Sequence, residues 1–575
     1  MRKFIFGFIL VSIALSVDAQ YIASKFRVTF SDKTGSPYSI STPSAFLSAR
    51  AIARRTKQNI AIKLNDIPVN SWYIDSVRNK GAQILTVSKW FNCISIFTTD
   101  PNVIAGIQAL PFVVSIDTLA ETPVKKGAKY IPKNYDTMKE GSQSLPSGSK
   151  FSQDMSELLS PQPSFLSTNV FDYGQAYTQA HMIATDYLHS QGFRGQGMVI
   201  AVIDAGFYHV NSIGIFDSLW ANNQILGTKD FVEPNGDVFT KSTHGMMVLS
   251  IMGGNAPGQM IGTAPLASYW LLRSEDADTE FPIEEDNWVA AAEYADSVGA
   301  DVINSSLGYT EFLNPDWNHT YADMNGHTCR STLGANMAAA KGILVVNSAG
   351  NSGNDAWKYI GAPSDGDSVL CIGAVDGNTN FASFSSHGPA YGGDIKPDVC
   401  GMGEGTIVSS TSGSVMPGNG TSFSSPVMAG SVACLWQSNT TMTNMQVYQA
   451  VIASANRFNN PDSLYGYGIP NLTGAFLILS GNKIHNFDEE NNINVAPNPF
   501  SDSFYVVFYS KDTLKVKIEL FDLAGKIVFA EDNIERGYGL TYIPVDGISN
   551  LSKGFYILKV TSGKKIFTDK IMKSR

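Results

Sequence analysis

Four short stretches carry side chains that could act on one another. In Gly420-Thr421-Ser422-Phe423-Ser424-Ser425-Pro426 a serine stands between a glycine-rich turn and an apolar run of helical character. A hydroxyl at a helix N-terminus has unclaimed backbone N–H groups and the positive end of the helix dipole beside it, which suits an oxyanion forming next to its Oγ. Pro426 is expected in the first turn, where a missing N–H costs little. Ser422 is therefore the candidate nucleophile, and it needs a base and an acid that orients the base. Met198-Val199-Ile200-Ala201-Val202-Ile203-Asp204 closes an apolar strand with a carboxylate that is costly to bury alone. His244, in Ser242-Thr243-His244-Gly245, is its natural partner, because an imidazole held through one nitrogen can take the Ser422 proton through the other. Asn351, in Ala349-Gly350-Asn351-Ser352-Gly353, can aim its amide at the developing charge together with the Ser422 N–H. Each stretch alone reads as a cap, a turn or a strand end. The weight lies in their conjunction, in the order Asp, His, Asn, Ser.

These residues need a scaffold, and residues 171–480 supply its pattern. Continuous apolar strands at 198–203, 268–272, 301–304, 343–347 and 369–374 alternate with helices at 244–252, 287–298, 331–341 and 422–437. That is the signature of an α/β domain with a buried, doubly wound parallel sheet, whose site lies at the carboxyl ends of the strands. Before it, residues 20–121 alternate as a small α+β domain, and residues 122–170 form a Lys-, Ser-, Gly- and Pro-rich linker open to proteolysis. After it, 481–493 is a polar spacer and 494–575 reads as short alternating strands, a β-sandwich. Residues 1–19 read as a secretory signal peptide: Met1-Arg2-Lys3, an apolar run from Phe4 to Val17, and small residues at Val17 and Ala19.

Composition narrows the partners. The chain has 575 residues and a net charge of −10, which argues against nucleic acid or an anionic membrane as the main partner. No later run is long enough for a transmembrane segment. The five cysteines, Cys93, Cys329, Cys371, Cys400 and Cys434, lack C-x-x-C spacing, so neither a disulfide framework nor a zinc site is implied. Most are expected to be small core residues, with one pair in the middle domain left open.

With these stretches in place, the chain resembles the subtilisin family of serine peptidases, whose triad follows the order Asp, His, Ser. Tyr173-Gly174, Leu188-His189-Ser190-Gln191-Gly192, Gly262-Thr263-Ala264-Pro265 and Ser425-Pro426 extend the resemblance. It implies a subtilisin-like fold, Asp204, His244 and Ser422 as triad, and Asn351 as oxyanion donor. Two departures, Ala205 after the aspartate and Met246-Met247 after His244-Gly245, are expected to alter packing more than chemistry. The resemblance places the peptide-binding edge strand at Asn304-Ser305-Ser306-Leu307-Gly308. It places the floor of the main specificity pocket at Gly361, leaving room for a large hydrophobic side chain before the cut bond. No cofactor is required, and no clear motif supports a structural calcium. The acidic run Glu275, Asp276, Asp278, Glu280, Glu284, Glu285 and Asp286 has three readings: a solvated loop and helix start, a rim that prefers basic substrate residues, or a calcium site.

The flanks carry further resemblances. Residues 20–121 are similar to the family's inhibitory propeptides, which implies a zymogen whose linker is cut. Pro497-Asn498-Pro499-Phe500, Leu520-Phe521-Asp522-Leu523-Ala524-Gly525-Lys526 and Leu551-Ser552-Lys553-Gly554-Phe555-Tyr556 resemble the C-terminal sorting domains of Bacteroidetes type IX secretion. The implied protein is a secreted serine endopeptidase, extracellular or held at the cell surface. Its implied partners are peptide substrates, its own propeptide and the secretion machinery. The alternatives are a catalytically silent adhesin on a protease scaffold and an enzyme that cuts only its own linker.

Overall fold

The computed structural model describes residues 21–123, 171–480 and 493–574, apart from 497, 501, 511–513 and 537–538. The expected signal peptide, all but the first two residues of the expected linker at 122–170, and the spacer up to residue 492 lie outside the described residues.

Seven strands form the sheet that carries the site, in the order Val399–Met402, Val369–Val375, Leu344–Ser348, Val302–Ser305, Val199–Asp204, Ser268–Arg273, Ile225–Asp230. Every neighbouring pair is parallel. The central strand residue Ser305 lies opposite Ile203 on one side and Asn347 on the other, so Asp204, Ser305 and the loop after Ser348 leave the same edge together. Strand residues alternate between faces. Ile200 and Val202 join a core with the helices His244–Gly253, Thr421–Ser438 and Asn444–Ala453, whereas Val199, Ala201 and Ile203 join one with Ile283–Val298 and Arg330–Ala340. Helices on both faces explain why these strands read as unbroken apolar runs. The outer strand Ile225–Asp230 was not legible, because its edge position leaves Leu226, Thr228 and Lys229 exposed and dilutes the pattern.

The N-terminal domain is a four-stranded antiparallel sheet, ordered Gln83–Ser88, Cys93–Phe97, Tyr21–Phe30, Val113–Pro123, with the helices Ala49–Lys57, Ser71–Arg78 and Pro101–Gln108. Its last strand runs to Pro123, past the compositional boundary at 121, because Ile22 and Tyr21 still pair with Thr122 and Pro123. The C-terminal domain is strand-rich, with a three-stranded and a four-stranded sheet enclosing Phe500, Phe504, Ile518 and Leu558. All five cysteines are buried free thiols, so the pair left open does not form. Among the described residues no helix is long and apolar enough to cross a membrane.

Candidate active site

Asp204 ends its strand fully buried, and its Oδ1 accepts from His244 Nδ1 at 2.7 Å and from the Ala205 N–H at 2.7 Å. A carboxylate can only accept, so Nδ1 carries the proton and Nε2 is left as the acceptor. His244 opens the helix His244–Gly253, and glycine at 245 lets that helix close on the strand. A Cβ at Gly245 would lie 2.3 Å from Gly206 O and 2.9 Å from Asp204 Cβ. The two departures behave differently. Met246 and Met247 are buried in the core, as packing residues should be. Ala205 offers no side-chain donor, and Asp204 Oδ2 is buried without a partner among the described residues.

Ser422 is the second residue of Thr421–Ser438, in the turn whose N–H groups have no carbonyl within the helix. This helix packs on His244–Gly253, and the Phe423 ring lies nearly parallel to the His244 ring with centroids 6.4 Å apart. Pro426 corrects an expectation. It sits in the second turn, not the first, where its N–H would have bonded Ser422 O. That carbonyl instead accepts from Ser306 Oγ at 2.9 Å, and Ser422 Oγ reaches back to Ser306 O at 3.4 Å. Ser425 Oγ donates to Asn304 Oδ1 at 3.0 Å, a second tie between the serine helix and the central strand.

Asn351 follows the strand Leu344–Ser348 through Gly350, whose φ of +105° favours glycine. Asn351 Oδ1 accepts from Thr421 N at 2.8 Å and Thr421 Oγ1 at 2.9 Å. A backbone N–H can only donate, so the oxygen must face Thr421 and Nδ2 is turned away from it. Thr421 Oγ1 also accepts from Gly350 N at 3.2 Å. Sequence reasoning passed over Thr421, whose only signal was its place between Gly420 and Ser422.

The substrate residues are partly misplaced by the sequence. Val302–Ser305 is not an edge strand: it is the fourth of seven and is paired on both sides. Ser305 is fully buried and its Oγ accepts from Trp288 Nε1 at 2.9 Å, so it faces the core. Leu307 also packs into that core, and Ser306–Gly308 continues beyond the end of the strand at Ser305. Gly361 is buried, and a Cβ there would lie 2.9 Å from Thr310 Cγ2. A cavity of about 550 Å³ lies between Val69, Leu85 and Val87 of the N-terminal domain and Phe231, Glu293 and Tyr294 of the catalytic domain.

The solvated reading of the acidic run is wrong for most of it: Glu275, Glu280, Glu284, Glu285 and Asp286 are buried, while Asp278 is exposed. Burial pushes the Glu275 carboxyl up, with the Asp204 and Asp276 charges adding to it, and burial with the Glu280 charge does the same to Glu284. Burial opposes ionisation of Glu285 too, but His319 Nε2 at 3.1 Å and the Ser331 N–H and hydroxyl hold it below its ordinary value. Asp286 pairs with Arg27 of the N-terminal domain at 2.8 Å and with Arg330 at 2.9 Å. Further along the same helix, Glu293 accepts from Ser88 Oγ at 2.5 Å and from the N–H groups of Lys89 at 2.7 Å and Trp90 at 3.1 Å. Asp296 takes Arg54 and Arg55. Among the described residues no group of three His, Cys, Asp or Glu side chains could hold a metal ion.

A parallel α/β sheet with a hydrogen-bonded Asp–His pair, a serine at a helix start and an oriented asparagine defines a serine-hydrolase class of site. Comparison with known proteins makes this specific. A Subtilase family profile matches residues 195–468, a profile of the Bacteroidota peptidase S8 propeptide domain matches 25–134, and a secretion system C-terminal sorting domain profile matches 494–574. Subtilisin DY of Bacillus licheniformis is 31% identical over 301 residues, which are 51% of this chain and 96% of that relative. Subtilisin E of Bacillus subtilis (strain 168) is 30% identical over 299 residues, 50% of this chain and 68% of the relative. A solved structure of MycP1 from Mycobacterium smegmatis aligns with 52% of this chain and 84% of its own at 21% identity, with a TM-score of 0.41. The chain belongs to the subtilase family and is a serine endopeptidase carrying an S8 propeptide domain and a C-terminal secretion sorting domain.

Proposed function

We propose that the enzyme hydrolyses peptide bonds through Asp204, His244 and Ser422, and the observation that carries this reading is the 2.7 Å bond from His244 Nδ1 to Asp204 Oδ1. That bond fixes the tautomer in which Nε2 is a base. His244 removes the Ser422 proton as Oγ attacks the carbonyl carbon, and the carbonyl oxygen becomes an oxyanion held by Asn351 Nδ2 and the Ser422 N–H. His244 then gives its proton to the leaving amine as the C–N bond breaks, leaving an acyl-enzyme. Water, deprotonated by His244, attacks the ester, and Ser422 recovers its proton as the acid product leaves. An extended substrate would lie along the backbone of Ser306–Gly308, with a large hydrophobic side chain beside Gly361.

Residues 494–574 would hand the chain to a type IX secretion machinery, and the linker between 122 and 170 would be cut to release the enzyme from its propeptide. A silent adhesin gains no support from a chain with a matching subtilase profile and a formed Asp204–His244 bond. Incubating the secreted protein with casein and sequencing its N-terminus tests both halves. The expected result is casein hydrolysis by a form that starts between Val124 and Tyr173; an active form starting at Gln20 would refute the zymogen reading.

A further inference from the structure

One lysine of the catalytic domain is enclosed although the chemistry does not use it. Lys396 is 2% exposed, and its Nζ donates to Gly366 O at 3.0 Å, Val369 O at 2.8 Å and Asp398 Oδ2 at 2.8 Å. Three acceptors consume all three ammonium protons. Asp398 is itself fixed, accepting from the Cys371 N–H at 2.7 Å and from Tyr448 Oη at 2.7 Å. Burial alone would push the ammonium down, but the Asp398 carboxylate beside it holds it above its ordinary value, so it remains charged.

The two carbonyls belong to the segment 361–369, which touches both walls of the substrate site. On one side Tyr309 N, just after Ser306–Gly308, donates to Ala362 O at 2.8 Å. On the other, Ser364 Oγ donates to Ser348 O at 2.6 Å and accepts from Asn347 Nδ2 at 2.9 Å, at the strand end that leads to Asn351. Within the segment, Ser364 N bonds Gly361 O and Gly366 N bonds Pro363 O, so a shift at Gly366 is passed to Gly361. Removing the ammonium would leave a buried carboxylate and two buried carbonyls short of a donor, which is costly unless the segment moves.

We infer that Lys396 is a positioning residue for substrate: its ammonium clamps the 361–369 segment and so sets the shape of the pocket for the side chain before the cut bond. This rests on the proposed reading that Gly361 borders that pocket. The test is steady-state kinetics of the secreted, processed enzyme on peptides that differ only at the residue before the cut, with a fluorophosphonate to count active sites. Lys396→Met should keep full labelling and a kcat within about threefold, while KM for a large hydrophobic residue rises about tenfold and the preference over alanine flattens. Lys396→Arg, which keeps charge and donors, should retain the preference and guards against a methionine variant that fails to fold. In Lys396→Ala, added methylammonium should restore the preference and tetramethylammonium, too large for the site, should not. A labelled Lys396→Met enzyme with unchanged preference, or a Lys396→Arg enzyme that loses it as fully, would overturn the inference. Absence of fluorophosphonate labelling in the unaltered enzyme would instead sink the triad reading itself.

Discussion

Two helices on opposite faces of the sheet do opposite kinds of work. Thr421–Ser438 has no charged side chain, is buried from Thr421 to Trp436, and offers the cleft a serine and its neighbours. Ile283–Val298 carries Glu284, Glu285, Asp286, Glu293 and Asp296, all at 4% exposure or less. Charges almost never sit that deep unless they are paired. Three of these five find their partners in the N-terminal domain: Arg27 for Asp286, the Ser88–Trp90 turn for Glu293, and Arg54 with Arg55 for Asp296. The serine helix is satisfied within its own domain, whereas the acidic helix is complete only while the propeptide domain sits on it. On the proposed mechanism, catalysis and the docking of the propeptide domain rest on separate sets of side chains, and substitutions should separate them.

The largest effect belongs to the chemical side. His244→Ala should lower kcat by about 10⁵-fold on a peptide ester, with the fold and the propeptide contact intact by circular dichroism and gel filtration. Next, Asp296→Ala strips the counter-charge from two buried arginines, so calorimetry of the uncleaved chain should show the zymogen destabilised by about 3–5 kcal/mol. Turnover by the processed enzyme should be unchanged; a matching loss of turnover would break the separation. Asn351→Ala should cost about 10²–10³ in kcat, the range found for an oxyanion asparagine in subtilisin, with KM little changed. A loss under about twofold in kcat would remove Asn351 from the mechanism.

The smallest effect is on pH. Burial works against the Asp66 carboxylate, but Arg55 and Lys341 of the catalytic domain hold it down to about 2. A depressed carboxylate stabilises fully above its ordinary 3.8 and loses that contribution as pH falls through the lowered value. The uncleaved chain should therefore lose about 2 kcal/mol between roughly pH 4 and pH 2, and Asp66→Asn should flatten that slope.

The same contrast explains what the sequence revealed. Asp204, His244, Asn351 and Ser422 stand in short stretches whose neighbours, glycines and apolar runs, already announce a strand end or a helix start. The buried strands were legible because both of their faces are covered. Glu293 and Asp296 gave no such signal, since on one helix they look like an ordinary solvated face, and the arginines that bury them lie far away in the chain. The error at Ser305 has a related cause: a strand's place in the sheet order depends on partners contributed by the whole domain. Pro426 shows a finer limit, because one turn decides whether its missing N–H is harmless or frees the carbonyl that Ser306 takes.

The central claim is that Ser422 is the nucleophile, and covalent labelling tests it most directly. The secreted protein, treated with a fluorophosphonate and mapped by peptide mass spectrometry, should carry one adduct per chain on Ser422, and His244→Ala should abolish it. An adduct on Ser424 or Ser425 instead, or none on a protein that still hydrolyses casein, would contradict the account.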